Sequence, residues 1–224
     1  MDDVIFVSED AKKNFSKLFG IDKGRVIYNI IDQRAICERS KETSSMPQHR
    51  TFTFVNVGSL KEIKRQDRII ETAALLKERG YDAEFWLIGK GIWEERLKAQ
   101  SIALNVSDIV HFLGFQSNPY PYIAAADVFL MTSDSEGFSL VVAEAMCLGK
   151  AIISTRITGP MEMLDNGRYG ILTGFSSEEI AEAAMSLIDD PQKTKEYQQL
   201  AYERAISYFN VDNVMSKIND TITK

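Results

Sequence analysis

The stretch TSDSEGFSLVVAEAM, residues 132–146, carries two glutamates, Glu136 and Glu144, eight positions apart. From Phe138 onward it reads as a helix apolar on almost every side, the pattern of a buried helix. Glu144 sits in the middle of that run, and a carboxylate stripped of water without a partner costs several kcal/mol or takes up a proton. On a helix the two carboxylates lie a little over two turns apart, roughly 12 Å. Gly137 and Ser139 stand at the helix start, where unpaired backbone N–H groups and the helix dipole attract an anion such as phosphate. An ordinary helix N-terminus with Glu136 as its first-turn acid accounts for the same residues. For Glu144 the choice is between a vicinal diol such as ribose, which can donate two hydrogen bonds to a carboxylate, and a core Lys or Arg.

A second candidate is GSLKEIK, residues 58–64, which follows a strand and places Lys61 and Lys64 just before a helix. Lysine is a compact charge suited to a diphosphate, and cations at a helix N-terminus run against the dipole. A solvated first turn is the commoner alternative. LIGKGIWEE begins like a dinucleotide-binding turn, but Glu94 stands where a third glycine belongs, so it reads as a tight strand-to-helix turn and an NAD site is set aside. His111 alternates with apolar neighbours in VHFLGF and is expected to be a satisfied core or sheet-end histidine. His49 falls in a polar stretch far from it, and two distant histidines make no metal cluster. Cys37 and Cys147 show neither metal-ligand nor disulfide spacing and read as free thiols.

The elements that must position these residues alternate along the chain. From Thr51, short apolar runs (TFTFVNVG, AEFWLIG, DIVHFLGF, DVFLMTS, AIIST, YGILTG) are separated by helical segments such as that bearing Ile69, Ile70, Ala73, Ala74 and Leu76. Such repetition means a parallel sheet covered on both faces. Two amphipathic helices follow, one with Ile180, Ala184, Leu187 and Ile188, the next with Tyr197, Ala201, Ala205 and Phe209. Upstream, residues 1–31 give a strand from Val4 to Val7, a helix from Ser8 and a second strand, RVIYNI. Residues 32–50 are polar and read as a linker with about one helical turn, which leaves 51–224 as the main domain. In open parallel sheets ligands bind at the carboxyl ends of strands. That selects the loops Gly58 to Lys64, Gly89 to Trp93, Gly114 to Asn118, Ser133 to Phe138 and Ile157 to Glu162.

The composition sets limits. A 224-residue chain with 45% hydrophobic residues buries a real core. With 26 Lys and Arg against 32 Asp and Glu, a net charge of -6 and no dense basic run, nucleic acid is not the expected partner. No apolar run reaches the ~18 residues that span a bilayer, and the acidic start is no signal peptide, so the cytoplasm is the expected location. The chain begins almost directly on a strand and is expected to be cut from something longer.

Taken in order, VGSLKEIK, WLIGKG, VHFLGF, AADVFLMTS, SEGFSLVVAEAM and TGPMEML resemble the C-terminal, donor-binding half of a GT-B retaining glycosyltransferase of the family 4, glycosyl transferases group 1 type. The most specific element is the E-x7-E pair, Glu136 and Glu144. The resemblance implies an α/β fold with a Rossmann-like doubly wound parallel sheet, 1–31 as the remnant of an acceptor domain, and a nucleotide-sugar site in 51–224. It implies that Glu136 and Lys64 are the catalytic pair, with Glu136 on the sugar and Lys64 on the diphosphate. The amides of Gly137, Phe138, Ser139 and Leu140 would share the diphosphate, Glu144 would hold the ribose hydroxyls and Phe115 would lie near the base, with Gly58 and Ser59 completing the donor site. The donor would be UDP- or GDP-linked, with no cofactor and no metal, and the acceptor a glycan or lipid-linked molecule. Any peripheral membrane association, at the inner face, would run through the N-terminal domain this chain lacks.

Some positions depart from the family pattern: Ser59 replaces the usual arginine, Ile30 a glycine, Ala151 a proline, and Thr158 with Gly159 stands where paired glycines are usual. Without that arginine the diphosphate charge falls to Lys64, with Lys61 or Arg65 as helpers. An epimerase or phosphorylase on the same fold, and a non-catalytic nucleotide-sugar-binding module, are the alternatives, since fold alone does not separate them.

Overall fold

A computed structural model of the chain describes residues 4–42 and 51–209, together with 215 and 218. Residues 43–50 of the expected linker, His49 among them, and most of the stretch beyond 209 lie outside the described residues.

The chain opens with a strand, β1 (Ile5–Phe6), a helix, α1 (Glu9–Phe19), and a strand, β2 (Arg25–Val26), the two strands pairing in parallel. Ser8 caps α1 by accepting from the Ala11 N–H at 3.1 Å. Both strands are shorter than the sequence led us to expect. Phe6 is buried while Ile5 is about half exposed, so the first strand is not the buried one expected. Residues 33–39, read as linker, form a seven-residue helix, α2 (Gln33–Arg39), longer than the single turn expected. Asp32 caps it through the Ala35 N–H at 2.9 Å, and Ile36 is buried in the core. One apolar anchor in a polar stretch leaves no periodicity to read.

The main sheet has six parallel strands: β3 (Phe52–Val57), β4 (Ala83–Ile88), β5 (Val110–Gly114), β6 (Val128–Met131), β7 (Ala151–Thr155) and β8 (Ile171–Thr173), in the order β5-β4-β3-β6-β7-β8. Alternate residues of each strand point to opposite faces. Phe54, Phe85, Val128 and Leu130 pack under α3 (Gln66–Glu78), α4 (Glu94–Ala103) and α8 (Ser177–Ile188). Val55, Trp86, Phe129 and Met131 pack under α5 (Tyr120–Ala125), α6 (Leu140–Cys147) and α9 (Pro191–Tyr208). Phe54 and Phe85, directly paired across β3 and β4, stack with centroids 4.9 Å apart. Each such side chain taken from water contributes about 1.5–3 kcal/mol, which secures the register on both faces.

The chain runs outward from β3 through β4 to β5, then returns to place β6 on the other side of β3. Adjacent strands whose connections leave in opposite directions open a crevice at their carboxyl ends. The loops after β3 and β6 therefore face each other, and they carry Lys64 and Glu136.

Local details refine the sequence reading. A 3-10 turn, Glu62–Lys64, joins α3 through Arg65, whose φ of 50° and ψ of 44° are left-handed and cost about 1–2 kcal/mol for a residue with a β-carbon. α6 begins at Leu140 rather than Phe138: the Ser139 backbone is extended, with φ -89° and ψ 100°, and the Phe138 ring packs on Tyr28 and Phe209, with centroids 6.3 and 5.8 Å away. The expected loop from Ile157 to Glu162 is a short helix, α7 (Thr158–Met163). Gly89 has φ 145°, and a β-carbon there would overlap the carbonyl oxygen of Gly58; at Gly91 it would overlap that of Leu60. Two loops thus lie backbone against backbone.

Candidate functional site

The Lys64 ammonium meets Glu136 Oε1 in an ion pair, and Ser133 Oγ donates to the same oxygen at 3.3 Å. The lysine stem passes over Gly58, its ε-carbon 3.9 Å from where a β-carbon would stand. Two groups in the first turn of α7 fix the Glu136 main chain: its carbonyl accepts from Thr158 Oγ1 and from the Gly159 N–H, each at 3.3 Å. The contact is so close that a β-carbon at Gly159 would overlap the carbonyl oxygen of Gly137. Thr158 therefore supplies a hydrogen bond where the pattern it resembles has a glycine, while Gly159 sits where none but glycine fits.

At the start of α6 no side chain caps the first turn. The Ser139 hydroxyl turns inward to within 3.7 Å of Met131 Sδ, and the residue is buried. Gly137 has open space around its α-carbon, and Leu140 is about half exposed. The first-turn N–H groups are left for solvent or an anion.

Glu144 is half-buried rather than fully buried, and among the described residues it finds neither a core lysine nor a core arginine as hydrogen-bond partner. Tyr120 Oη donates to Glu144 Oε1 at 3.0 Å. Desolvation pushes the Glu144 carboxyl above its usual range, while the Tyr120 hydrogen bond and the charge of Arg39 pull it back. Burial and the adjacent carboxylate push the Tyr120 phenol up to about 12. The Arg39 guanidinium lies over the Tyr120 ring, 4.9 Å from its centroid, and donates to the Ser117 carbonyl at 3.1 Å. α2, read from sequence as linker, thus reaches this end of the site.

A cleft of about 330 Å³ opens past the carboxyl ends of β3, β4 and β5. Gly58, Ser59 and Phe115 line it, and so do Lys90 and Gln116, neither of which is singled out within the loops that the sequence selects. The signal for Lys90 was present: a cation between two glycines directly after a strand. Arg39 carried no comparable signal. Lys61 is exposed, and Arg65 is engaged by Asp67 and Asp134, so Lys64 is the lysine of this loop that reaches Glu136. His111 is half-buried with Nε2 3.8 Å from Glu84 Oε2, too far for a hydrogen bond, so it is less well satisfied than expected. Among the described residues no three His, Cys, Asp or Glu side chains gather as metal ligands, and no helix is long and apolar enough to cross a membrane.

Residues 39–204 match the family described as glycosyl transferases group 1, a span that holds every residue placed above at the Lys64 and Glu144 ends. The chain belongs to the glycosyl transferases group 1 family. It is 28% identical over 205 residues to an N-acetylgalactosaminyltransferase of Campylobacter jejuni that acts on a diphospho-undecaprenol-linked sugar by its name, covering 91% of this chain and 54% of that one. It is 26% identical over 198 residues to N-acetyl-alpha-D-glucosaminyl L-malate synthase of Bacillus anthracis, covering 86% and 51%. The chain thus spans about half the length of these relatives. Among solved structures it superposes on Anabaena Alr3699/HepE in complex with UDP at a TM-score of 0.89 and 27% identity, covering 99% of this chain and 64% of that one. The doubly wound sheet is the Rossmann-like domain of GT-B glycosyltransferases.

Proposed function

We propose that this chain is the donor-binding half of a retaining, metal-independent glycosyltransferase that transfers a hexose from a nucleoside diphosphate sugar to a glycan or lipid-linked acceptor. The observation that carries the reading is the meeting of Lys64 and Glu136 at the crevice between β3 and β6, beside an uncapped helix start. A diphosphate there gains the ammonium of Lys64 and the first-turn amides of α6, which stabilise the negative charge that develops as the bond from sugar to phosphate breaks. Glu136 faces the sugar and Glu144 the ribose hydroxyls. The cleft beside Phe115 takes the base, and Gly58 and Ser59 form its wall. The UDP complex of Alr3699/HepE supports a uridine donor, and the names of relatives such as the Campylobacter enzyme support a lipid-linked acceptor.

Calorimetry with UDP, GDP and ADP tests the donor reading, with UDP expected to bind. A folded chain that binds none of them at millimolar concentration overturns it. Residues 1–31 are proposed as the last strand, helix and strand of an acceptor domain. If so, half of the reaction cleft is missing, and with it positioning that is worth roughly 7–11 kcal/mol of barrier. The 224-residue chain should therefore bind donor without measurable transfer, and joining it to a complete acceptor domain should restore transfer. Robust transfer by the chain alone would mean that the boundary is misplaced.

A further inference from the structure

Outside the Lys64–Glu136 contact itself, four charged side chains bind together the two loops that carry it. Asp134, two residues before Glu136, accepts from Arg68 Nη1 at 2.7 Å through Oδ1 and from Arg65 Nη1 at 3.2 Å through Oδ2. The other edge of the Arg65 guanidinium is held by Asp67, with Nε 3.0 Å from Oδ1 and Nη2 2.9 Å from Oδ2, the parallel geometry of a bidentate pair. Polar groups close the same seam. The Asp134 N–H donates to the Ile63 carbonyl at 2.9 Å, and Thr132 Oγ1 lies 3.1 and 2.9 Å from the carbonyls of Lys64 and Arg65. Every one of these bonds ends on Lys64 or close beside it in sequence.

Arg65 is the telling residue. Its backbone is left-handed, a conformation that glycine adopts more readily, so the turn gains nothing from an arginine. What arginine adds is reach, from Asp67 on its own helix to Asp134 on the facing loop. Partial burial alone would push the Asp134 carboxyl up, but Arg68 and Arg65 outweigh it and hold the group below its usual range. The ion pair therefore persists at neutral pH. With Arg65 29% and Asp134 38% exposed, solvent screens the pair and limits what it adds to global stability. Its geometric effect is not screened: a lysine head on a flexible four-carbon stem is aimed only as well as its root is fixed.

We propose that Arg65 and Asp134 are positioning residues that fix the root of Lys64 against the Glu136 loop, so that a diphosphate meets a cation already aligned with the start of α6. The inference rests on the donor site proposed above.

The test is Arg65→Gly in the 224-residue chain, titrated with UDP and with uridine. The glycine keeps the left-handed turn and deletes the clasp. UDP affinity is expected to fall about tenfold through misplacement of Lys64, with uridine affinity and the thermal midpoint close to wild type. Asp134→Asn should repeat the pattern more weakly, and it carries the test if the glycine variant misfolds. In a Lys64→Met background, Arg65→Gly should add no further loss. Three results would overturn the proposal: wild-type UDP affinity in both variants, equal losses for UDP and uridine with a lowered midpoint, or an additive loss on top of Lys64→Met. A wild-type chain that does not bind UDP removes the donor site and the clasp with it, whereas failure confined to the variants removes the clasp alone.

Discussion

The two ends of the site use the same side chain in opposite ways. At one end Glu136 is matched by a full positive charge, Lys64, on a facing loop. At the other, Glu144 faces a neutral phenol, Tyr120, with Arg39 acting through the ring and through space, and desolvation raises its carboxyl pKa. A ligand at the first end must come between charges that already satisfy each other. At the second it need only offer donors to a carboxylate short of them. Partners, rather than residue type, decide which end resists a ligand and which end invites one.

The largest effect should come from removing the cation. Lys64→Met is expected to weaken UDP binding about a hundredfold, a loss of roughly 2.7 kcal/mol, in line with deleting hydrogen bonds to a charged group. Uridine binding should not change. If titration shows equal losses for both, the charged end does not hold the diphosphate and the contrast collapses.

Next in size is Glu144→Gln, expected to cost about tenfold in UDP affinity while leaving pyrophosphate binding unchanged, since a carboxylate holding ribose hydroxyls loses charge-assisted hydrogen bonds. Pyrophosphate affinity falling in step with UDP would remove Glu144 from the ribose.

A smaller effect is written in pH. Because the folded-state pKa of Glu144 is raised, its contribution favours folding below the usual carboxylate range and is lost as pH rises through the raised value. UDP binding, which needs the ionised form, should run the other way and weaken as pH falls through the same value. Thermal melts and calorimetry across that window would show the two opposite slopes, and Glu144→Gln should flatten both. Slopes that persist in the variant would assign them to another group.

The smallest effect has an unusual sign. Glu136→Gln frees Lys64 from its ion pair, so UDP without sugar should bind about threefold tighter, within the range measured for partly exposed pairs. Unchanged or weaker binding would mean that the pair does not compete with the ligand.

The sheet is legible because its signal is local: β4 and β7 are mostly apolar runs bounded by turns, broken only by Glu84 near the start of one and by Ser154 and Thr155 at the end of the other, because both faces are largely buried. The loops that bear Lys64 and Glu136 followed from the rule that ligands gather at carboxyl ends, and the structure brings those two side chains together. What escaped depended on distant partners. The hydrogen bond to Glu144 comes from Tyr120, 24 positions upstream, and the cation stacked on Tyr120 comes from a helix held by one buried isoleucine in a polar stretch. α7 was hidden by its Gly-Pro pair, which reads as a turn. Lys90 was overlooked because the glycines around it explained the segment without it.

Those glycines have a further consequence. With Gly89 against the Gly58 carbonyl and Gly91 against that of Leu60, the spacing between the loops after β3 and β4 is fixed by the thickness of two peptide backbones. Side chains do not set it. Ser59 and Lys90 can therefore be exchanged in evolution, or by an engineer, to change what the cleft recognises while its shape stays the same. Under the donor reading proposed above, diversity in what this wall accepts is then cheap to reach, provided the two glycines are left in place.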